Sequence, residues 1–292
     1  MRRNVELTVV VPVRNGVETI GEQLDALLAS EWDGSWELVV ADNGSRDQSR
    51  EIVEHYVARD PRVRLVIASD GVGAAHARNA GMKAAWGTAV AFCDADDVVG
   101  TGWLPAMGHA LRAHDFVTGP LEVHRLNPPW VAGSRGRAIE RGPGDFLGLF
   151  AFAPTCNLGV RRALALQAGG FDAGLAAGED IEFSLRLQLQ GIPLTYVDDA
   201  VVHYRYRQSV GALWHQARTY GRAQESLVGL LRGLGTPVPA SAELRRWLWL
   251  ARNITSLVSR RGRARWTWVA GGCAGRLEGR LIRASHRGRR AR

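Results

Sequence analysis

Three carboxylates crowd one short stretch of the chain. The segment 91-AFCDADD-97 places Asp94, Asp96 and Asp97 at the end of an apolar run, with only Ala95 between them. Like charges packed together away from water are unfavourable unless something positive holds them. Asp94 and Asp96 stand at i and i+2, so on an extended backbone both side chains point the same way and can reach one divalent cation. Hard oxygen ligands with few histidines nearby suit Mn2+ or Mg2+, and such sites complete their shell with phosphate oxygens. From these residues alone a second reading stays open. Asp97 precedes 101-TGWLPAM-107, and carboxylates also favour helix N-termini.

A second acidic pair, Glu179 and Asp180, opens 178-GEDIEFSLRLQLQG-191. The segment predicts a helix with an acidic first turn, Ile181, Leu185 and Leu189 on its apolar face and a terminal glycine. His203 precedes aromatic Tyr204, and its readings are a third metal ligand, a phosphate contact or ordinary packing.

The elements that must position these groups are legible as strand–helix alternation. The runs 7-LTVVVPV-13, 37-ELVVAD-42, 63-VRLVIAS-69 and 88-TAVAFCD-94 are continuously apolar or β-branched, and helical periodicity fills the intervals. That pattern predicts an α/β fold with a mostly parallel sheet covered on both faces. Right-handed crossovers put every strand-to-helix loop on one edge, where open sheets bind ligands. Arg14, Asn15, Asp42, Asn43, Asp70 and Asp94 to Asp97 gather there.

After Trp103 the alternation weakens. The stretch 115–126 predicts a strand pair, and 127–145, with Arg135, Arg137 and Arg141, a long mobile loop whose charges are solvated or close over a diphosphate. Residues 193–204 predict a last strand region. Helices are expected over 208–232, 241–258 and 264–285.

The ordered set 9-VVVPVRNG-16, 39-VVADNGS-45, 76-HARNAGMKAAWG-87, 91-AFCDADD-97 and 178-GEDIEFSLRL-187 resembles the family 2 glycosyltransferases of GT-A fold. The resemblance covers roughly residues 5–205. It implies a Rossmann-like domain over 1–205, nucleotide-binding to about residue 103 and acceptor-binding beyond, followed by a helical extension over 206–292. It implies that Pro12, Arg14 and Asn15 wrap the nucleotide, that Asp42 reads the base edge, usually uracil, and that Arg78 lies near the diphosphate. Asn43 stands where many members carry a second aspartate. Asp94 and Asp96 match the family's DxD pair, with Asp96 the direct metal ligand, and Asp180 matches its general base. Glu179 is expected at the acceptor or capping its helix. The implied activity is metal-dependent, inverting transfer from a nucleotide-diphosphate sugar to a glycan or lipid-linked hydroxyl, in glycan, glycolipid or cell-envelope polysaccharide synthesis. The alternative is a catalytically silent nucleotide-sugar or glycan-binding scaffold of the same fold.

The segment 11-VPVRNGVE-18 is neither the phosphate loop of a nucleotidyltransferase nor the GxGxxG of a nicotinamide dehydrogenase. Three well-separated cysteines, Cys93, Cys156 and Cys273, argue against a disulfide framework and for a reducing compartment. No stretch reaches ~18 apolar residues and no cleavage-site pattern follows the N-terminal run, so a cytoplasmic protein is expected.

The net charge of +8 hides a division. Residues 1–202 carry 18 basic against 26 acidic residues, and 203–292 carry 19 against 3. The tail also holds Trp214, Trp247, Trp249, Trp266 and Trp268, interleaved with arginine in 244-LRRWLWLARNITSLVSRRGRARWTW-268. That composition suits a helix resting on an anionic membrane surface, or an arginine-rich cap whose tryptophans are packed. No nucleic-acid motif accompanies it, and no nucleic-acid partner is expected.

Overall fold

The computed structural model describes residues 5–135, 141–238 and 241–290. They divide into two compact units. The first comprises the described parts of Met1–Glu122, Ile139–Gly174 and Glu179–Arg205. The second comprises those of Val123–Ala138, Leu175–Gly178 and Tyr206–Arg292. The described parts of 123–138, together with 175–178, therefore cluster with the C-terminal helices.

In chain order the first unit begins β1 (Leu7–Val13), α1 (Ile20–Leu28), β2 (Trp36–Asp42), α2 (Ser49–Arg59), β3 (Val63–Ile67), α3 (Ala74–Ala84) and β4 (Ala89–Phe92). There follow β5 (Val98–Val99), α4 (Trp103–Ala113), β6 (Phe116–Thr118) and β7 (Leu121–Glu122). A helical turn of the second unit, α5 (Pro129–Ala132), intervenes before β8 (Gly144–Phe146), β9 (Phe150–Phe152) and β10 (Leu158–Arg161). The unit closes with α6 (Arg162–Gln167), α7 (Glu179–Leu189), β11 (Thr195–Tyr196) and β12 (Val202–His203).

Seven strands form one sheet in the order β11-β6-β10-β4-β1-β2-β3. All pairs are parallel except those made by β10, which runs antiparallel to β4 and β6. Every residue of β1, β2 and β4 is buried, and successive side chains enter opposite cores. Val9, Val11, Leu38, Val40 and Ala91 pack with Leu24 and Leu27 of α1 and with Trp103 and Met107 of α4. Val10, Val39, Val90 and Phe92 pack with Met82 of α3 and with Phe183 and Leu187 of α7. This two-sided burial is why these strands read as unbroken apolar runs.

Three expectations need correction. The 115–126 segment is not a strand pair: β6 joins the large sheet, whereas β7 joins a small sheet ordered β5-β12-β7. The 193–204 region likewise divides, β11 going to the large sheet and β12 to the small one. In α7 Leu185 is buried as expected, but the buried face runs through Phe183, Ser184 and Leu187 as well, while Leu189 is 65% exposed. The Ser184 hydroxyl accepts the Ala153 N–H, turning that face toward β9 and the Leu189 side outward.

In the second unit α8 (Val210–Gly233) packs along α10 (Arg260–Arg290), with α9 (Ser241–Arg252) and a 3-10 turn over Ile254–Val258 between them in sequence. Glycines of α10 permit the approach: a Cβ at Gly271 would lie 2.9 Å from the Trp214 carbonyl oxygen. Leu250, Ala270 and Cys273 form a core lined by Trp214, Trp249 and Trp266, and the Trp266 indole donates to the Leu250 carbonyl at 3.1 Å. Trp247 is 42% exposed. Arg135, expected in a mobile loop, instead lies between the rings of Tyr206 and Trp268, at 4.0 and 4.1 Å. Arg137 lies outside the described residues. Among the described residues no helix is long and apolar enough to cross a membrane.

Asn157, fully buried, ties three chain segments of the first unit together. Its Oδ1 accepts from the Trp103 indole at 2.8 Å, and its Nδ2 donates to the carbonyls of Ala200 and Pro120 at 2.8 and 3.1 Å. Asn157→Ala should cost about 2–4 kcal/mol, because it strands a buried donor and two acceptors. Urea unfolding measures this, and a midpoint equal to that of the unaltered chain would refute it.

Candidate active site

Because β1, β2, β3 and β4 are mutually parallel, their carboxyl ends and following loops share one edge of the sheet. Pro12 is buried within β1, opposite Ala41. Arg14 is exposed just past the strand. Asn15 sits in the left-handed region (φ 53°), which asparagine tolerates better than most residues. Its N–H donates to Ser45 Oγ at 3.0 Å, and its Oδ1 accepts the Arg46 N–H at 2.8 Å. Asp42 closes β2, is buried and accepts the Ser45 N–H at 3.1 Å.

Asn43 is a stitch between loops. Its Nδ2 donates to the carbonyls of Ala68 (2.5 Å) and Gly71 (2.8 Å), and its Oδ1 accepts the Gly73 N–H at 2.8 Å. Two carbonyl acceptors require a donor, which an ionised aspartate lacks. The amide is thus explained by what it holds.

Arg78 organises the acidic residues. It projects from α3, is 3% exposed, and donates from Nη2 to Asp94 Oδ1 at 2.6 Å and from Nη1 to Glu179 Oε1 at 2.8 Å. Burial alone would lower its pKa, but the charges of Asp94 and then Glu179 outweigh burial and raise it. The guanidinium stays charged, with one carboxylate on each arm.

The turn after β4 is held mainly through its backbone. The Asp94 carbonyl accepts from Gln23 Nε2 at 3.0 Å, and Gln23 Oε1 accepts the Val99 N–H at 3.0 Å. The Asp96 carbonyl accepts from Arg205 Nε at 2.8 Å. Asp97 is 1% exposed. Its Oδ1 accepts the Arg205 N–H at 2.7 Å, while its Oδ2 is buried without a hydrogen-bond partner. It caps no helix, since α4 starts after Gly102. Burial, then the charges of Asp96 and Asp94, push the Asp97 carboxyl well above the usual range, against the pull of Arg205.

Asp94, Asp97 and Cys156 present ligand atoms within 4.8 Å of one another. Asp96 and His203 stand outside that group. The Cys156 thiol is pushed up by burial, then by the charges of Asp97 and Asp94, and so stays neutral and a poor ligand for a hard cation. The orphaned Asp97 oxygen and the crowding of three carboxylates are what a hard divalent cation would relieve, so the residues suit one. His203 Nδ1 pairs with Glu122 Oε2 at 2.8 Å.

Asp180 lies in the first turn of α7, half-buried, its Oδ1 accepting the Ile181 N–H at 2.9 Å. Burial, followed by the adjacent charge of Glu179, raises its pKa to about 7, against the lowering effects of the Ile181 N–H and Arg78. Arg78 thus draws Asp94 and Glu179 together. Gln23 and Arg205 are supports that sequence reasoning missed. Gln23 had a signal, a polar residue within the buried stripe Ile20, Gln23, Leu24, Leu27. Arg205 had none.

A family model described as glycosyl transferase family 2 matches residues 8–165, and one described as glycosyl transferase family group 2 matches residues 90–274. Glycosyltransferase AglE of Haloferax volcanii is 27% identical over 67% of this chain and 65% of its own length. The pre-mycofactocin glycosyltransferase of Mycobacterium tuberculosis is 26% identical over 69% of this chain and 43% of its own. The chain therefore spans less than two thirds of these relatives.

Among solved structures, the mannosyltransferase PcManGT from Pyrobaculum calidifontis, in complex with GDP-Man and Mn2+, superposes with a TM-score of 0.68. It is 18% identical, over 94% of this chain and 87% of that one. S. aureus TarS 1-349 in complex with UDP-GlcNAc gives 0.55 at 17% identity, over 95% and 92%. These likenesses establish the fold, a GT-A-type α/β fold with C-terminal helices.

Removing one partner from a buried charge pair leaves the others uncompensated. Arg78→Met is expected to cost on the order of 3–5 kcal/mol in urea unfolding. Arg78→Lys should cost less, because one ammonium keeps the charge but cannot fork between two acids. Equal stability of Arg78→Met and the unaltered chain would show that the bridge holds nothing.

Proposed function

Because the chain belongs to glycosyl transferase family 2, we propose that it moves a sugar from a UDP-linked donor to a hydroxyl on a glycan or lipid-linked acceptor. The transfer inverts the anomeric carbon and uses Mn2+ or Mg2+. The observation that carries this reading is the Arg78 bridge, which couples Asp94, on the donor side, to the residue preceding Asp180.

Pro12, Arg14, Asn15 and Asp42 supply the nucleotide side, with Asp42 on the base edge. Its burial and its bond to the Ser45 N–H fix the carboxylate's position. Arg78 supplies positive potential for the diphosphate while keeping Asp94 in place. Asp94 and Asp96 are the residues that would hold a divalent cation, beside the orphaned Oδ2 of Asp97 that such a cation would also relieve. His203 is a candidate third ligand, since a carboxylate on one ring nitrogen is the common arrangement of a metal-binding histidine. When bound, the cation offsets negative charge gathering on the departing diphosphate, in place of an acid.

Asp180 takes the acceptor's proton. The hydroxyl oxygen attacks the anomeric carbon as the bond to the diphosphate breaks on the opposite face, and the nucleotide leaves with the electron pair. A base performs best when its pKa lies near the working pH, which the value of about 7 for Asp180 meets. Glu179, held by Arg78, positions Asp180 and raises its pKa by its adjacent charge.

Below pH 7 Asp180 is mostly protonated and cannot accept a proton, so kcat/KM should rise with pH and flatten above about 7. Asp180→Asn should retain donor binding and lose transfer by roughly 10²–10⁴-fold. Its raised pKa also makes ionised Asp180 destabilising, a cost that grows as pH rises from 4 and is complete above 7. Asp180→Asn should therefore have a higher Tm than the unaltered chain at pH 8 but not at pH 4. Unchanged turnover in that variant removes Asp180 from the base role.

A thermal-shift comparison of UDP and GDP, each with and without Mn2+, tests the donor and the cation. UDP with Mn2+ should stabilise most, and Asp96→Ala should abolish the Mn2+-dependent part. Greater stabilisation by GDP would overturn the uracil assignment while leaving the rest standing.

A further inference from the structure

The helical unit holds a charge imbalance of its own. Its acidic side chains are three, Glu225, Glu243 and Glu278. Glu225, 4% exposed, is taken by Arg280 at 3.0 Å and by Arg283. Glu278 is taken by Arg218 at 2.6 Å and Arg222 at 3.6 Å. Glu243 pairs with Arg280.

Arg276 of α10 is 7% exposed and reaches no carboxylate of this unit. Its Nη1 donates to Gln224 Oε1 at 3.2 Å, its Nη2 lies 3.1 Å from Cys273 Sγ, and its Nε is buried without a partner. Arg246 of α9 faces the same space, and burial followed by repulsion from Arg276 lowers its pKa. A buried guanidinium beside a half-buried one, without an acid between them, is an unfavourable arrangement unless an anion completes it.

The space for one is present. A cavity of about 240 Å³ is lined by Tyr220, Gln224, Arg246, Trp268 and Arg276. It shares Arg246 and Val269 with a second cavity of about 350 Å³, lined also by Arg245, Trp249 and Arg265. Both cavities carry arginine and aromatic side chains.

We infer that these adjoining cavities among α8, α9 and α10 form a binding site for a phosphate group, with Arg246 and Arg276 as the residues that hold it. The guanidinium fork matches the oxygens of phosphate, and the rings of Tyr220, Trp249 and Trp268 line the same space. The phosphate belongs either to a free anion or to a lipid headgroup. Exposed Leu244, Trp247 and Leu248, on the same helix as Arg246, offer acyl chains an apolar surface in the second case. The inference is independent of the proposed transfer reaction, since none of these residues belongs to the candidate active site.

The test is thermal unfolding of the full chain in inorganic phosphate, or in soluble dihexanoyl phosphatidic acid, against chloride at matched ionic strength. Saturating ligand should raise Tm by about 2–4 °C or more. Arg246→Gln and Arg276→Gln should each lose that rise, and each should be as stable as the unaltered chain or more so without phosphate. Exposed Arg232→Gln with Arg252→Gln removes surface charge and should keep the rise. Asp96→Ala should also keep it, which separates this site from the donor side. A rise with inorganic phosphate identifies a free anion as sufficient, and a rise with the lipid alone identifies the headgroup. No rise with either, or equal loss in the surface-charge variant, overturns the inference. If Arg276→Gln fails to fold, Arg246→Gln decides alone.

Discussion

A single buried guanidinium sets the terms on which this α/β unit can concentrate acid at one sheet edge. Asp94 follows the fourth strand and Glu179 begins a helix 85 residues later, yet Arg78 holds both within 2.8 Å. Without a cation there, the helix start and the strand end would present carboxylates to one another in surroundings that strengthen their repulsion. With it, the start of α7 is held beside the strand end, where burial and then the charge of Glu179 raise the Asp180 pKa to about 7 against the lowering pull of Arg78 itself.

A complementary device acts on the turn itself. Gln23 clamps the backbone on both sides of the three aspartates, at the Asp94 carbonyl and the Val99 N–H. Arg205 reaches in from the chain beyond the last strand, binding the Asp96 carbonyl through Nε and the Asp97 carboxylate through its own N–H. Neutral amide and peptide groups carry much of this load, so the turn is fixed without cancelling all its negative charge. A turn held only by side-chain ion pairs would have spent that charge on its own structure.

The architecture was legible because a two-sided parallel sheet writes itself into sequence. Val9, Val10, Val39 and Val40 are all buried, so their runs are uninterrupted, and the loops after them carry the polar residues the edge exposes. The crowding of acids at 94, 96 and 97 and the pair at 179 and 180 were plain in the sequence, but not that Asp94 and Asp97 meet Cys156 while Asp96 stands outside that group. What was hidden depends on contacts between distant segments. Nothing near Arg78 announces that it spans 16 residues to Asp94 and 101 to Glu179. The α7 stripe misled because periodicity fixes an apolar spacing but not which apolar residue turns inward, and Ser184 entered the core through its bond to Ala153. The small sheet was hidden because two-residue strands carry no period at all.

Charge asymmetry was the other plain feature of the sequence, and composition alone left its meaning open. The structure sorts the arginines of the helical unit by how their charge is met. Arg218, Arg280 and Arg283 are neutralised by glutamates. Arg135 and Arg260 lie against aromatic faces, where the ring quadrupole is attractive but desolvation stays partial. Arg246 and Arg276 have neither remedy among the described residues of this unit, and they line a common cavity. A surplus spread over exposed side chains would be screened by salt and would imply little. A surplus drawn inward, beside a hollow large enough for a ligand, is unfavourable for folding and favourable for binding an anion, and the same two residues account for both.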